Sequence, residues 1–324
     1  MIKNVAVLMG GFSSEKDISI KSGEVIFNNI DRSKYNPFKV IVEKNRWYYK
    51  DKNQDSHNVC LDDFSITLDE GKINFDLAFI IIHGSPGEDG LIQSYLELKE
   101  IPYTGSNSYV SSLTFNKRDC ISILSKYNIP SAKSIQLNFG ESFSIENIIS
   151  ELGLPCFVKA NRSGSSFGVF KVNKKEDLND FIDKAFDFDN EILIESYLNG
   201  TEVSVGVMNY KDEIKVFGVT ELITENDFFD YDAKYNGKSK EITPANISVK
   251  QQKLVSELSV KIYKKLGMRG FTRSEFIIVE NEAYFLEINS IPGMTNKSIF
   301  PKQAKIQGIS IKDLCNEMLS QALN

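Results

Sequence analysis

The sequence predicts a mixed protein in which an N-terminal α/β domain with a parallel sheet precedes central and C-terminal α+β modules. Near the N-terminus, two continuous apolar runs, VAVLM and LAFIII, each end in a loop that contains glycine. Such runs are typical of parallel strands that helices cover on both faces. Farther along, strands and helices follow in a less regular order, which favours an α+β arrangement. The predicted domains are residues 1–105, 106–190 and 191–324.

The first domain begins with a strand at 4–8, a glycine-rich loop at 10–17 and a helix at 18–29. Strands at 37–42 and 77–82 follow, and their apolar character predicts parallel pairing with the first strand. In open α/β sheets, ligands bind beyond the carboxyl ends of the strands. The loops that follow the two apolar runs are therefore the first candidates for a functional site.

The later modules are predicted from shorter patterns. A helix at 117–126 precedes the strand CFVKA, the loop NRSGSSFG and the strand VFKV, and a helix at 175–186 comes next. The remaining predicted elements are strands at 192–197, 202–208, 214–219, 273–279 and 284–288 and a long amphipathic helix at 249–266. Helices through residue 323 close the chain.

Composition and charge exclude several classes of protein. With 324 residues and 41% hydrophobic residues, the chain is long enough to bury a sizeable core. Its formal charge of −6 argues against a nucleic-acid coating protein, which needs a basic surface. The N-terminus lacks the features of a signal peptide, and no apolar stretch approaches the ~20 residues that cross a bilayer. The sequence therefore predicts a soluble protein.

The four cysteines, Cys60, Cys120, Cys156 and Cys315, are scattered through the chain. The sequence contains no CxxC pair and no cluster of cysteine and histidine. This spacing suggests neither a zinc site nor a disulfide framework. Reduced thiols in the cytoplasm fit the pattern best.

Two N-terminal loops carry chemistry-bearing residues. GGFSSEKDIS precedes a helix, so backbone N–H groups can bind an anion while serine and glutamate side chains cap the first turn. The alternative is a solvated turn with an ordinary N-cap. HGSPGEDG holds one histidine, two acids and three glycines in eight residues. Here the alternatives are that His83 is a satisfied core-edge histidine and that Glu88 and Asp89 are helix-start carboxylates.

Lys159 ends an apolar strand and precedes the Gly/Ser loop NRSGSSFG. Backbone amides and hydroxyls of such a loop can fold over phosphates, and the lysine can neutralise their charge. The lysine comes before the glycines, so this is not a Walker A sequence. A flexible hairpin is the alternative reading.

The segments TRSEF and FLEIN give the strongest local signal. Strand alternation places Arg273 and Glu275 on one face, and likewise Glu287 and Asn289. Carboxylate and amide oxygens suit Mg²⁺ alongside nucleotide phosphates. A solvated sheet face with a Glu–Arg pair is the alternative. The polar, aromatic stretch FFDYDAKYNGK, at 228–238, is long enough for a lid over a nucleotide, and an exposed surface loop is the alternative there.

Taken in order, GGFSSEKDISIKSG, HGSPGEDG, VKANRSGSS, DYDAKY, TRSEF and EINSIPGMTNKS closely resemble the D-alanine–D-alanine ligases of the ATP-grasp superfamily. The resemblance covers nearly the whole chain. It implies an ATP-grasp fold whose central and C-terminal modules clasp ATP. It also implies a cytoplasmic homodimer, formed largely through the N-terminal modules, that uses ATP and two Mg²⁺ ions, for which Mn²⁺ can substitute. The implied reaction joins two D-alanines through a D-alanyl phosphate for peptidoglycan precursor synthesis.

The resemblance also implies roles for individual residues. Glu15 orients the ammonium of the first D-alanine near His83, and Ser165 with the lid residue Tyr235 completes a hydrogen-bonded network. The implied nucleotide contacts are Lys117, Lys159, Glu195, Leu198, Glu202 and the lid residue Lys234. The implied metal ligands are Glu275, Glu287 and Asn289. Arg273 and the Gly293 N–H stabilise the tetrahedral oxyanion, and Ser298 with Ile299 holds the second carboxylate.

Three positions depart from the family pattern. Glu275 stands where the family more commonly has aspartate, Ser163 where it often has an acid, and Lys297 where it commonly has histidine. Tyr235 favours a dipeptide product, because members that form D-alanyl-D-lactate usually lack this tyrosine. The alternatives are a D-alanine–D-lactate or D-serine ligase, or a nucleotide-binding regulator without activity. A regulator is expected to have lost phosphate or metal positions, whereas this chain keeps Lys159 and Glu287.

Overall fold

The computed structural model describes residues 2–224 and 239–323. Within these residues the strands form three sheets of four or five strands and one two-stranded ribbon. No helix in this part of the chain is long and apolar enough to cross a membrane. The predicted lid, with Lys234 and Tyr235, lies outside the described residues.

The N-terminal sheet is built around β1 (Lys3–Gly10), which α1 (Lys16–Asn29) joins to β2 (Tyr35–Glu43). The two strands pair in parallel, as predicted. Helix α1 packs closely on β1 because its inward face is lined by small residues. A Cβ at Gly23, for example, would lie 2.6 Å from the Met9 side chain.

The rest of this region contains elements that the sequence did not predict, because each is only three to eight residues long. These elements are β3 (Arg46–Lys50), β4 (Ser56–Asn58), β5 (Ser65–Leu68), β6 (Gly71–Asn74), and, after β7 (Leu77–Ile80), α2 (Leu91–Leu98) and α3 (Ser108–Phe115). The sheet order is β4-β3-β2-β1-β7, and β7 pairs in parallel with β1, which confirms the prediction.

The central sheet has the order β10-β9-β11-β8, and every pairing in it is antiparallel. Its elements are α4 (Lys117–Ser125), β8 (Ser134–Asn138), α5 (Ile145–Leu152), β9 (Cys156–Ala160), β10 (Val169–Val172), a 3₁₀ turn (Lys175–Asp177), α6 (Leu178–Phe186) and β11 (Glu191–Ser196). Strand β11 begins at the predicted boundary between the second and third domains. Its hydrogen bonds place it inside the sheet of the second.

The C-terminal sheet has the order β14-β13-β12-β15-β16. Its elements, with the helices that pack on it, are β12 (Thr201–Tyr210), β13 (Glu213–Thr224), β14 (Ser239–Ile242), α7 (Val249–Leu266), β15 (Phe271–Val279), β16 (Glu282–Asn289), α8 (Ile299–Ile306) and α9 (Ile311–Ala322). Helix α7 has the predicted bounds because Ser248 and Gln251 form a capping box at its start.

The hydrophobic cores show how these parts are joined. Phe271 and Phe300 belong to the same buried cluster as Phe79 of the N-terminal sheet, so the two ends of the chain share one core. The central sheet has a separate core around Val158 and Ile194. Loops of the N-terminal, central and C-terminal parts contact one another beside the core that the two ends of the chain share, and the candidate site lies at this junction.

Candidate functional site

Glu15 stands at the start of α1, but its carboxylate does not cap the first turn of the described helix. This corrects the prediction that the glutamate caps the helix. The turn is instead held by Ser13, whose Oγ accepts a hydrogen bond from the Glu15 N–H at 3.2 Å and donates to the His83 carbonyl at 2.9 Å. The Glu15 carboxylate is thereby directed away from the helix and towards the central module.

The Gly/Ser loop of the central module covers Glu15. Ser165 donates a hydrogen bond from its hydroxyl to the Glu15 carboxylate across 150 residues of sequence. Gly164 permits this approach, because a Cβ there would lie 2.6 Å from Glu15 Oε2. The structure thus brings together two of the three residues of the predicted network, while Tyr235 lies outside the described residues.

His83 is buried between α1 and the loop that follows β16. Its Nε2 lies 3.1 Å from Ser22 Oγ, and its Nδ1 lies 2.9 Å from the Ile291 carbonyl oxygen. A carbonyl oxygen only accepts, so Nδ1 carries the proton of a neutral ring. Burial also lowers the pKa of His83, which favours that neutral form. Both ring nitrogens of His83 therefore contact protein atoms.

The two acids of HGSPGEDG have different environments. Asp89 accepts a hydrogen bond from the Leu91 N–H at 3.2 Å, which matches the helix-start alternative. Glu88 turns inward and accepts from the Gly84 N–H at 2.8 Å and the Ile291 N–H at 3.3 Å. Burial raises the pKa of the Glu88 carboxyl to about 8, and the charge of Glu15 adds to the rise.

A cavity opens between the N-terminal and C-terminal parts. It brings together the residues predicted for both amino-acid substrates and for the oxyanion. These lining residues are Glu15, His83, Arg273, Asn289, Gly293, Ser298 and Ile299. Lys21, Glu241 and Lys297 also line the cavity. Residues from four separate sequence motifs therefore converge on one cavity.

The loop between β16 and α8 is folded tightly at its end. Ser298 is the N-cap residue of α8, and its Oγ accepts a hydrogen bond from the Thr295 N–H at 3.1 Å. A Cβ at Gly293 would lie 2.9 Å from the same oxygen. The loop therefore holds the Gly293 backbone close to Ser298, at the point where α8 begins.

A second cleft lies between the central and C-terminal sheets. All the nucleotide contacts predicted within the described residues line it. They are Lys117, Lys159, Glu195, Leu198 and Glu202, together with the acidic pair Glu275 and Glu287.

Basic residues in this cleft are held by acidic and backbone partners. Lys159 forms a buried ion pair with Glu195 of the neighbouring strand β11. Lys117 Nζ donates to the Ser163 carbonyl oxygen at 2.6 Å and lies 3.5 Å from Glu287. Lys117 thus connects the Gly/Ser loop of the central module with the end of β16.

The predicted metal ligands come from two adjacent strands. Glu275 is paired directly with Glu287 across the β15–β16 ladder, and Arg273 with Asn289. Arg273 also forms a salt bridge of 2.9 Å with Glu275. The described residues contain no group of three or more His, Cys, Asp and Glu side chains suited to a metal. Two carboxylates and one amide nevertheless fit Mg²⁺, which takes its remaining oxygens from phosphates and water.

Sequence reasoning missed three residues that the structure brings to this junction. Ser22 contacts His83, and Lys21 and Glu241 line the substrate cavity. Ser19 and Ser22 are fully buried on α1, so polar residues at helical spacing on a packed face were the available signal for Ser22. The sequence contains no comparable pattern that would have indicated Lys21 or Glu241.

Family models match most of the chain. The model described as D-ala D-ala ligase N-terminus matches residues 4–106, and the model described as D-ala D-ala ligase C-terminus matches residues 123–320. The chain is 51% identical over 322 residues to a D-alanine–D-alanine ligase of Flavobacterium johnsoniae, covering 99% of this chain and 100% of the relative. It is 47% identical to one of Christiangramia forsetii, covering 100% and 99%.

Solved structures show the same fold. The VanG D-Ala:D-Ser ligase from Enterococcus faecalis superposes with a TM-score of 0.89 at 32% identity, covering 99% of this chain and 100% of that one. D-alanyl-alanine synthetase A from Vibrio cholerae gives 0.90 at 26% identity, with coverage of 100% and 99%. A D-alanine–D-alanine ligase from Bacillus anthracis complexed with ATP gives 0.80 at 27% identity, with coverage of 99% and 97%.

Proposed function

The chain belongs to the D-alanine–D-alanine ligase family, and we propose from this premise how its residues carry out the reaction. It has the ATP-grasp fold, and its activity is the ATP-dependent joining of two D-alanines for peptidoglycan precursor synthesis. The observation that carries the residue-level proposal is the convergence of Glu15, Arg273, Gly293 and Ser298 on one cavity.

Glu15 and Ser165 are the proposed site for the first D-alanine. The carboxylate of Glu15 can bind the substrate ammonium, and the hydrogen bond from Ser165 fixes its direction. His83 lines the same cavity as a neutral ring and closes its base. Tyr235 is the proposed third member of this network from the lid.

The cleft between the central and C-terminal sheets, here called the nucleotide cleft, is the proposed site for ATP. Lys117 and Lys159, with Lys234 from the lid, would neutralise the phosphates, while Glu195, Leu198 and Glu202 would contact the adenine and ribose. Phosphoryl transfer depends largely on positioning and charge neutralisation. A carboxylate oxygen of the first D-alanine then forms a bond to the γ-phosphorus, and ADP leaves with the electrons of the broken P–O bond.

Glu275, Glu287 and Asn289 are the proposed ligands of two Mg²⁺ ions. When bound, the ions would shield the phosphate oxygens and align the terminal phosphate for transfer. The ladder that pairs Glu275 with Glu287 holds both carboxylates at the edge of the nucleotide cleft. In Glu275 the carboxylate is one methylene farther from the backbone than in the aspartate that is common in the family.

The second D-alanine is proposed to bind beside Ser298 and Ile299 at the start of α8, where its carboxylate faces helix N–H groups. Its amine attacks the carbonyl carbon of the acyl phosphate, the C–O bond breaks, and phosphate leaves with the electron pair of that bond and the proton lost by the amine. Arg273 and the Gly293 N–H would stabilise the oxyanion that develops in this step. Water would hydrolyse the acyl phosphate, so the proposed mechanism requires that water be kept from this intermediate.

Purified protein with Mg-ATP tests these assignments. Phosphate release would be measured with D-alanine, L-alanine, D-alanine with D-lactate and D-alanine with D-serine, and each product would be identified by mass. The D-serine arm is included because the VanG structure is 32% identical to this chain. We expect D-alanyl-D-alanine to be the main product. Turnover with D-lactate or D-serine in preference to D-alanine would overturn the second-substrate assignment.

We also propose the three predicted domains, with β11 assigned to the second, a cytoplasmic location and a homodimer formed through the N-terminal modules. Leu98, on α2 of the first module, is 84% exposed, and Tyr109, on the following helix α3, is 67% exposed, which supports an apolar contact there. Three of the four free cysteines are buried and none is paired, as expected in a reducing compartment. Sedimentation of the wild type and of Leu98→Glu tests the dimer. A monomeric wild type would overturn it.

A further inference from the structure

The segment 290–298 between β16 and α8, here called the substrate loop, is bound from two sides by the N-terminal domain. The Glu88 carboxyl accepts hydrogen bonds from the Ile291 N–H through Oε1 and from the Gly84 N–H through Oε2. His83 Nδ1 lies 2.9 Å from the Ile291 carbonyl oxygen. Both polar groups of Ile291 therefore contact side chains of the HGSPGEDG motif, and its N–H is shared with Asn289 Oδ1 at 3.2 Å.

A third contact fixes the loop three residues farther along. Ser22 Oγ accepts a hydrogen bond from the Met294 N–H at 3.3 Å and lies 3.1 Å from His83 Nε2. Ser22, His83 and Glu88 are all buried, and Met294 is fully buried as well. Buried hydrogen bonds of this kind hold backbone groups with little freedom.

Gly293 lies between these two fixed points. Its N–H is the proposed oxyanion donor, and such donors are effective only when they are held at the position where the charge develops. Glycine restricts its own backbone least of all residues, so the surrounding contacts must supply the order. The side chains that fix Ile291 and Met294 therefore determine where the Gly293 N–H points.

We propose that Glu88, Ser22 and His83 are positioning residues that aim the Gly293 N–H at the reacting carbonyl. This inference rests on the proposed function and assigns a role to two residues, Glu88 and Ser22, that touch neither substrate. It applies to the second chemical step alone, because the oxyanion forms when the amine attacks the acyl phosphate. The first step, transfer of the phosphoryl group, takes place at the nucleotide cleft.

The proposal predicts that loss of a positioning residue slows the second chemical step and not the first. When the oxyanion donor is misplaced, the acyl phosphate still forms but the amine attacks it more slowly. Water then has time to hydrolyse it, and phosphate is released without dipeptide. General destabilisation of the fold would instead lower both products together. The ratio of phosphate to dipeptide therefore separates a positioning role from a structural one.

Glu88→Gln is the first test. With its raised pKa the Glu88 carboxyl is protonated at neutral pH, but its hydroxyl oxygen keeps a lone pair that accepts from the second backbone N–H. The NH₂ group of glutamine cannot accept, so one of the two hydrogen bonds is lost. We expect dipeptide formation to fall roughly 10-fold or more, an unchanged KM for ATP, and a phosphate-to-dipeptide ratio that rises from about one to about two or more. Asp89→Asn is the matched control, because Asp89 is the adjacent acid and accepts only from the Leu91 N–H.

Ser22→Ala is the second test, because it removes a single hydroxyl and should leave α1 intact. Melting temperature and circular dichroism would establish that each variant is folded. A raised ratio in Ser22→Ala or Glu88→Gln, with a ratio near one in Asp89→Asn, supports the proposal. A ratio near one in both folded test variants overturns it. Wild-type protein that forms no dipeptide would instead overturn the proposed function, so the two failures are distinguishable.

Discussion

The nucleotide cleft differs in construction from the junction, which is the region around the cavity lined by Glu15, His83 and Arg273. In the cleft, Lys159 and Glu195 stand on neighbouring strands of the central sheet, and Glu275 and Glu287 on neighbouring strands of the C-terminal sheet. A ladder of backbone hydrogen bonds fixes the positions within each pair. At the junction, single side-chain contacts join loops that are far apart in sequence, such as His83 with Ile291 across 208 residues. We infer that the cleft is the more rigid region and that the junction is the more sensitive to single substitutions in catalysis.

The largest effect on stability is expected in the cleft, for Lys159→Met. The Lys159 and Glu195 side chains are 12% and 4% exposed, so loss of the lysine leaves a buried, unpaired carboxylate. We expect the free energy of unfolding to fall by about 3–5 kcal/mol. Urea denaturation would measure the change, and the double substitution Lys159→Met with Glu195→Gln should recover most of it.

The matched control for this substitution is Lys184→Met. Lys184 pairs with Asp180 on the surface of α6, and the two side chains are 50% and 65% exposed. Exposed pairs contribute less than about 1 kcal/mol. Equal losses of stability in the two variants would show that the buried Lys159–Glu195 pair contributes no more than an exposed pair. The inference that the cleft is the more rigid region would then be wrong.

Arg273→Ala tests the point where the cleft and the junction meet. Arg273 lines the substrate cavity and forms its salt bridge with Glu275, a residue of the nucleotide cleft. We expect ligation to fall by a factor on the order of 10²–10³ through loss of oxyanion stabilisation, while ATP still binds. Equilibrium binding of a non-hydrolysable ATP analogue and assay of the dipeptide would measure the two properties.

Arg269→Ala is the control for Arg273→Ala, because Arg269 lies outside both cavities and donates a hydrogen bond to the Gln321 carbonyl. It should ligate normally. Normal turnover of Arg273→Ala would remove Arg273 from the mechanism. Loss of ATP binding in that variant would assign the arginine to the nucleotide cleft instead.

The same difference explains what the sequence could predict. Alternation along TRSEF and FLEIN indicated the shared faces of Arg273 with Glu275 and of Glu287 with Asn289, because strand period alone determines which side chains share a face. The inward turn of Glu88 could not be predicted, since it depends on the Ile291 N–H, which reaches it only in the folded chain. Resemblance to the family supplied Glu15 and Ser165, whose contact has no local pattern.

Secondary structure shows the same limit. Helix α7 was predicted with its observed bounds, because eighteen residues with a clear period and a capping box carry a strong signal. The short strands β3 to β6 were missed, since three to five polar or aromatic residues resemble a loop until neighbouring strands pair with them. The order of the central sheet, with β11 between β9 and β8, likewise follows from tertiary pairing.

The pH dependence of stability sharpens the description of the junction. The pKa of Glu88 is raised from 4.5 to about 8 by burial, so the folded state keeps a proton that the unfolded state releases. Its contribution to stability is full below about pH 4.5 and is lost as pH rises towards about 8. Between about pH 5.5 and 7.5, the wild type should lose about 3 kcal/mol relative to Glu88→Gln.

Urea denaturation of both proteins across this window would measure that loss, and other titrating groups cancel because the two proteins share them. Asp89→Asn should track the wild type. A constant difference between the wild type and Glu88→Gln would mean that Glu88 has an ordinary pKa. The junction would then be better solvated than its burial indicates, and the contrast with the cleft would weaken.

The smallest effect is expected for Ser165→Ala, which removes one hydrogen bond to the Glu15 carboxylate. A hydrogen bond to a charged group contributes about 1.5–3 kcal/mol, so the KM for the first D-alanine should rise roughly 10-fold or more while the fold is unaffected. Ser163→Ala is the control, because Ser163 contacts Lys117 through its backbone carbonyl, which alanine retains. If kcat falls and KM does not change, Ser165 acts on the reacting groups rather than on Glu15. The junction would then contribute to the chemistry directly, and not only by positioning the first substrate.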